Sequence, residues 1–70
     1  MQRETIESAG FASVGYDRET EILRIEFAGG GVYEYVGVPP EVYEGLLSAE
    51  SPGWFFREFI RERYPSEKIR

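Results

Sequence analysis

The sequence predicts an α+β fold: a three-stranded antiparallel β-meander followed by two short helices packed on one face of the sheet. Three observations predict it. The stretch "EILRIEFA" (residues 21–28) alternates Leu23, Ile25 and Phe27 against Arg24 and Glu26, the period of a half-buried strand. A glycine run, Gly29–Gly31, then separates it from "VYEYVGV", and glycine takes the positive φ of a tight turn at little cost. Finally, Pro39 and Pro40 cannot continue a central strand but suit a first helical turn, and helical spacing follows them.

Taken in order, residues 1–10 are mostly polar and read as a loosely ordered N-terminal arm, leaving 11–70 as a single domain. "FASVGYD" (11–17) is the first strand and "RET" a polar turn into the second. In "PEVYEGLLSAE", Val42, Leu46 and Ala49 fall at i, i+4 and i+7, which predicts a helix over about 40–50, weakened by Gly45. Ser51 as N-cap and Pro52 at the first position open a second helix over about 52–64. Phe55, Phe56, Phe59 and Ile60 form its apolar stripe against Arg57, Glu58, Arg61 and Glu62, and Pro65 stops it.

Strand register decides what Tyr33 and Tyr35 are for. A two-residue loop at Gly29–Gly30 sets Phe27 opposite Val32 and Ile25 opposite Glu34, which puts a carboxylate in the apolar stripe. A three-residue loop sets Phe27 opposite Tyr33 and Ile25 opposite Tyr35, gathering Leu23, Ile25, Phe27, Tyr33 and Tyr35 on one face. With "RETE" as a four-residue loop, Tyr16 faces Leu23, Val14 faces Ile25 and Ala12 faces Phe27. The second register is preferred, although it sets Glu26 against Glu34. It makes both tyrosines core residues beneath the helices, not a platform for RNA bases. Ser13, Asp17, Arg24, Glu26 and Glu34 take the outer face, with Phe11, Ile22, Val32, Val36 and Val38 towards its ends.

A chain of 70 residues holds one small core, and a domain this small buries only about 60% of the surface that its unfolded form exposes. There is no cysteine or histidine, so a disulfide and the usual zinc ligands are excluded, and no cofactor is implied. Residues 1–50 carry three arginines against ten acids, whereas residues 51–70 carry five basic groups against three acids. An acidic body of net charge −5 repels phosphate at long range, with a local exception at the basic C-terminal end. No apolar run reaches the ~18–20 residues of a membrane span, and "MQRETIESAG" lacks the apolar centre of a signal peptide. The expectation is a cytoplasmic protein with no membrane contact.

In order along the chain, "SVGYD" at 13–17, Leu23 and Phe27, the glycine turn, "YEY" at 33–35, "VPPEVYEGLL" at 38–47, Ala49-x-Ser51-x-Gly53, and "FF" to "RYP" from Phe55 to Pro65 resemble the KTSC domain family. That family takes its name from the C-terminal domain of some lysyl-tRNA synthetases and also occurs as small free-standing bacterial proteins. Its central Y-x-Y falls on Tyr33 and Tyr35. Its usual asparagine after the second helix's aromatic pair falls on Arg57, a departure. The resemblance implies little about activity, and it implies tRNA or other RNA as a partner only by association.

The residues themselves argue against an enzyme. Without histidine or cysteine, acid–base work falls to carboxylates, Lys68 or tyrosines, and Glu19, Glu21, Glu41, Glu44 and Glu50 flank turns and helix ends as solvated surface. Gly29–Gly31 joins two strands and lacks the helix and lysine of a phosphate-binding loop. The candidate nucleic-acid residues are Arg57 and Arg61, at i and i+4, with Arg63, Lys68 and Arg70 beyond them. The plainer reading is a solvated helix face balanced by Glu58 and Glu62, with basic groups suiting the helix C-terminus. Trp54, in the first turn of the second helix, either caps the core edge or stands exposed as a partner contact. Two function classes follow: a weak RNA-binding accessory domain using the basic residues, or a protein-interaction module using Trp54, a strand edge or the outer-face valines.

Overall fold

The computed structural model describes residues 2–4 and 10–70, with side chains from residue 10 onward. Strands β1 (Gln2–Glu4), β2 (Phe11–Asp17), β3 (Ile22–Phe27) and β4 (Val32–Val36) precede helices α1 (Pro40–Ser48) and α2 (Pro52–Phe59), and β5 (Ser66–Lys68) closes the chain. The expected three strands are the centre of a five-stranded sheet, ordered β1-β2-β3-β4-β5 and antiparallel throughout. The physical reason is that a bare meander leaves two edges of unpaired N–H and C=O groups. Here β1 covers the β2 edge and β5 covers the β4 edge. Within the stretch read as an N-terminal arm, Gln2–Glu4 is therefore strand, and residues 1 and 5–9 lie outside the described residues.

The β3–β4 register differs from the preferred one by two residues. Leu23 faces Tyr35, Ile25 faces Tyr33 and Arg24 faces Glu34. The turn closes tightly: the Phe27 N–H donates to the Gly31 carbonyl (2.8 Å) and the Gly30 N–H to the Phe27 carbonyl (2.9 Å), with Gly30 at φ +105°. A two-residue slip preserves side-chain parity, so Tyr33 and Tyr35 still share a face with Leu23, Ile25 and Phe27. It also replaces the like-charge pair expected between Glu26 and Glu34 with an opposite-charge pair between Arg24 and Glu34.

On the other side, Tyr16 faces Leu23 and Val14 faces Ile25, but a bulge between Phe11 and Ser13 sets Phe11, not Ala12, against Phe27. The extra residue rotates Phe11 from the outer face into the core, where it is buried. Val38 is likewise not on the outer face. It is wholly buried after the Gly37 turn (φ +81°), and its carbonyl accepts the Tyr16 hydroxyl proton.

Both helices stop earlier than the spacing predicts. α1 ends where Ala49 turns extended, and the Ser48 hydroxyl donates back to the Glu44 carbonyl (2.9 Å). α2 starts as expected, with Ser51 accepting from the Trp54 N–H (3.4 Å). It ends at Phe59 because the N–H groups of Ile60 and Arg61 both bond to the Phe56 carbonyl, which breaks the regular ladder. Ile60 is thereby buried, while Phe59, expected in the apolar stripe, is 40% exposed.

The core joins Val14, Tyr16, Leu23, Ile25 and Tyr35 of the sheet to Tyr43 and Leu46 of α1 and to Phe56 and Ile60. Tyr16 and Tyr43 stack with centroids 4.5 Å apart, and the Phe56 ring meets Phe11, Phe27 and Tyr35 edge-on at 5.3–6.0 Å. Such pairs are worth about 0.5–1.5 kcal/mol each beyond the area they bury. Gly45 acquires a packing role: a Cβ there would lie 2.7 Å from Phe55 Cζ, so its bareness lets α2 approach α1.

Candidate functional site

Residues directly opposite in an antiparallel ladder place their side chains on the same face. The row Ile25–Tyr33–Lys68 and the row Leu23–Tyr35–Ser66 therefore face the helices, while Arg24–Glu34–Glu67 faces outward. On the helix side this leaves an open cleft of about 630 Å³. Phe11, Phe27, Tyr33, Tyr35 and Phe56 line its apolar part, and Arg57, Arg61, Gly53 and Ser66 its margin. The volume falls within the ~300–1,000 Å³ usual for small-ligand sites.

The two tyrosines of "YEY" part company here. Tyr35 is 5% exposed and belongs to the core, whereas Tyr33 is half-buried with its ring edge-on to Phe27 (5.7 Å, 80°). Burial pushes the Tyr35 hydroxyl above its ordinary pKa. The neighbouring Tyr33 adds to that rise, and the positive charge of Arg61 opposes it. Arg61 is thus within electrostatic reach of the cleft floor.

Three other arginines are engaged. Arg18 pairs with Glu44 (2.9 Å), Arg24 donates through Nε to Glu34 (2.9 Å), and Arg63 donates through Nε to the Glu58 carbonyl (3.0 Å) with its guanidinium over the Phe59 ring. Among the described residues, Arg57 and Arg61 form no salt bridge. Of the basic residues read from the sequence, the cleft therefore gathers Arg57 and Arg61 at its margin, and β5 sets Lys68 beside Tyr33. Arg63 and Arg70 do not line it; the Arg70 backbone carbonyl instead accepts the Val32 N–H (3.0 Å).

Trp54 is 50% exposed and meets the Phe59 ring edge-on (5.7 Å), apart from the cleft. Sequence reasoning missed Phe11, Phe27, Gly53 and Ser66 as cleft residues. Ser66 and Lys68 do alternate with Glu67, but a polar triplet carries no apolar period to announce a strand. Among the described residues no cluster of three or more acidic groups is arranged to hold a metal, and no helix is long and apolar enough to cross a membrane.

Fold and cleft together define a small α+β domain with an aromatic, arginine-margined recess. The chain belongs to the KTSC domain family, whose sequence profile matches residues 7–64. It is 41% identical over 64 residues to an uncharacterised protein of Stutzerimonas stutzeri, covering 91% of this chain and 90% of that one. It is 44% identical over 54 residues to the lysine–tRNA ligase of Nostoc punctiforme, a match spanning 77% of this chain but 10% of the ligase. The crystal structure of the KTSC domain protein YPO2434 from Yersinia pestis superposes with a TM-score of 0.92 at 36% identity, covering 99% of this chain and 97% of that one.

Proposed function

We propose that this domain is a non-catalytic, cytoplasmic RNA-binding module, an accessory that holds tRNA weakly through the cleft and without a cofactor. The observation that carries this reading is the pair of guanidinium groups, Arg57 and Arg61, that form no salt bridge among the described residues and lie beside half-buried aromatic rings. Arginine suits phosphate because its planar fork donates bidentately, and aromatic faces suit unpaired bases. The match to a segment of a lysine–tRNA ligase adds support. The net charge of −5 keeps the affinity low.

The test is tRNA binding by filter retention across a salt series. Each phosphate neutralised on a single strand contributes about −0.7 to the slope of log K against log salt, so two contacts give a slope of about −1.4. Replacing both residues, Arg57→Glu with Arg61→Glu, abolishes binding and leaves the fold intact. Undiminished binding by that variant moves the site elsewhere.

The exposed pair Trp54 and Phe59 favours a second reading, a protein-interaction module docking on that edge of α2. Binding of that kind responds little to salt and is lost on Trp54→Ala.

A further inference from the structure

The cleft floor is unequal in a way that restricts what can enter. Phe11, Tyr35 and Phe56 are buried, and Phe56 meets both of the others edge-on, so little of their surface is open to a ligand. Phe27 and Tyr33 are the half-buried rings, and they stand nearly perpendicular with centroids 5.7 Å apart. Two such rings form a corner, and a corner takes one flat group, stacked on one face and edge-on to the other. A run of consecutive bases needs a series of platforms, one for each base.

Among the described residues, the charged side chains at that cleft have a single sign: Arg57 and Arg61 line it, and Lys68 lies beside Tyr33 on the same face of the sheet. A flat ring carrying a phosphate satisfies both parts, with arginine forks on the phosphate oxygens and tyrosine against the ring.

We infer that the cleft takes a single unstacked nucleotide, its base in the Phe27–Tyr33 corner and its phosphate on Arg57 and Arg61. This rests on the RNA-binding reading only for the source of the nucleotide, since a free mononucleotide has the same chemistry as one splayed out of an RNA loop.

The full-length chain, labelled with ¹⁵N, is titrated with AMP, adenosine and inorganic phosphate at low ionic strength. AMP is expected to shift the amides of Tyr33, Gly53, Arg57 and Ser66 saturably, and to bind at least about tenfold more tightly than adenosine or phosphate. Arg57→Ala with Arg61→Ala weakens AMP by about tenfold or more. Tyr33→Leu weakens it by about tenfold, and Tyr33→Phe restores it. Should Tyr33→Leu fail to fold, intermolecular NOEs between the adenine protons and the Tyr33 ring of the unaltered protein decide the matter. AMP that binds no better than phosphate, or whose NOEs fall on Trp54 and Phe59, overturns the inference.

Displacement of AMP distinguishes the sources. An RNA hairpin with unpaired loop bases displaces it, and a blunt duplex at equal phosphate concentration does not; equal displacement by the duplex overturns the inference. If AMP binds in the corner and no RNA displaces it, the nucleotide assignment stands and the RNA reading fails. If tRNA binds through Arg57 and Arg61 while AMP does not bind, the RNA reading survives and this inference fails.

Discussion

The two faces of the β3–β4–β5 sheet handle charge in opposite ways. Outside, Arg24 reaches Glu34 across the strands and the Ser13 hydroxyl donates to Glu26 (3.1 Å), so polar groups answer one another. At the cleft margin, Arg57 and Arg61 stand beside aromatic rings, and no carboxylate among the described residues lines the same recess. The difference teaches how to read a charged residue in so small a domain. A cation with a matching carboxylate across a ladder belongs to the sheet, whereas one left unmatched beside a half-buried ring is free to meet a ligand. Total charge, which is −5, points away from phosphate and hides this.

The sharpest break in the comparison is between Phe56 or Tyr35, which build the floor, and Tyr33, which presents a partly open face. Phe56→Ala and Tyr35→Ala each open a cavity and should cost about 3–5 kcal/mol. A single core in a chain this short holds about 3–5 kcal/mol in all, so both variants should lack a cooperative thermal transition. Tyr33→Ala should cost less, on the order of 1–2 kcal/mol, because the ring is only partly buried. A wild-type-like melt for Tyr35→Ala would remove Tyr35 from the core.

The charge contrast is the next to test. Arg57→Glu with Arg61→Glu should leave stability within about 0.5 kcal/mol of the unaltered protein, as surface substitutions do. Arg24→Ala should cost up to about 1 kcal/mol, because it leaves Glu34 opposite Glu67 without a cation between them, and that loss should shrink in high salt. Denaturant titrations at low and high salt check both. Equal salt dependence for the two sets of variants would erase the distinction between the faces.

The smallest effect is alkaline. Burial raises the folded-state pKa of both Tyr16 and Tyr35 above the ordinary value of 10.0. Above about pH 10 the unfolded chain loses those protons first, so it binds fewer than the folded chain, and stability falls as pH rises. The stabilisation is fully present below that pH. Melting temperatures from neutral to alkaline pH should therefore decline beyond about 10, and Tyr35→Phe should shallow the decline.

Legibility in the sequence followed apolar period. The alternation of Leu23, Ile25 and Phe27 located β3 and its buried face, and Ser51-Pro52 located the start of α2. The register slip of two residues escaped because parity is encoded by the apolar pattern, whereas the partner of each residue is fixed by how the turn closes around Ala28–Gly30. The bulge that turns Phe11 inward has no local signature in "FASVGYD". β1 and β5 are short polar segments whose strand character comes from the edges they cover. For the cleft, Arg57 and Arg61 were readable as a spaced basic pair. The recess they border was not, because it forms only where α2, the bulge at Phe11 and Ser66 meet.

The order of pairing along the sheet has a kinetic consequence. β2, β3 and β4 join neighbours in sequence through short turns, but β5 must return to β4 after both helices, from Val36 to Ser66. Local hairpins close early, and a closure across so long a loop carries more chain entropy, roughly (3/2)RT ln n for n residues. The recess that Ser66 lines is then the last part of the molecule to be assembled and the first to open. Hydrogen exchange should show this directly: the Ser66–Lys68 amides trade protons faster than those of β3, and slow selectively once the recess is occupied.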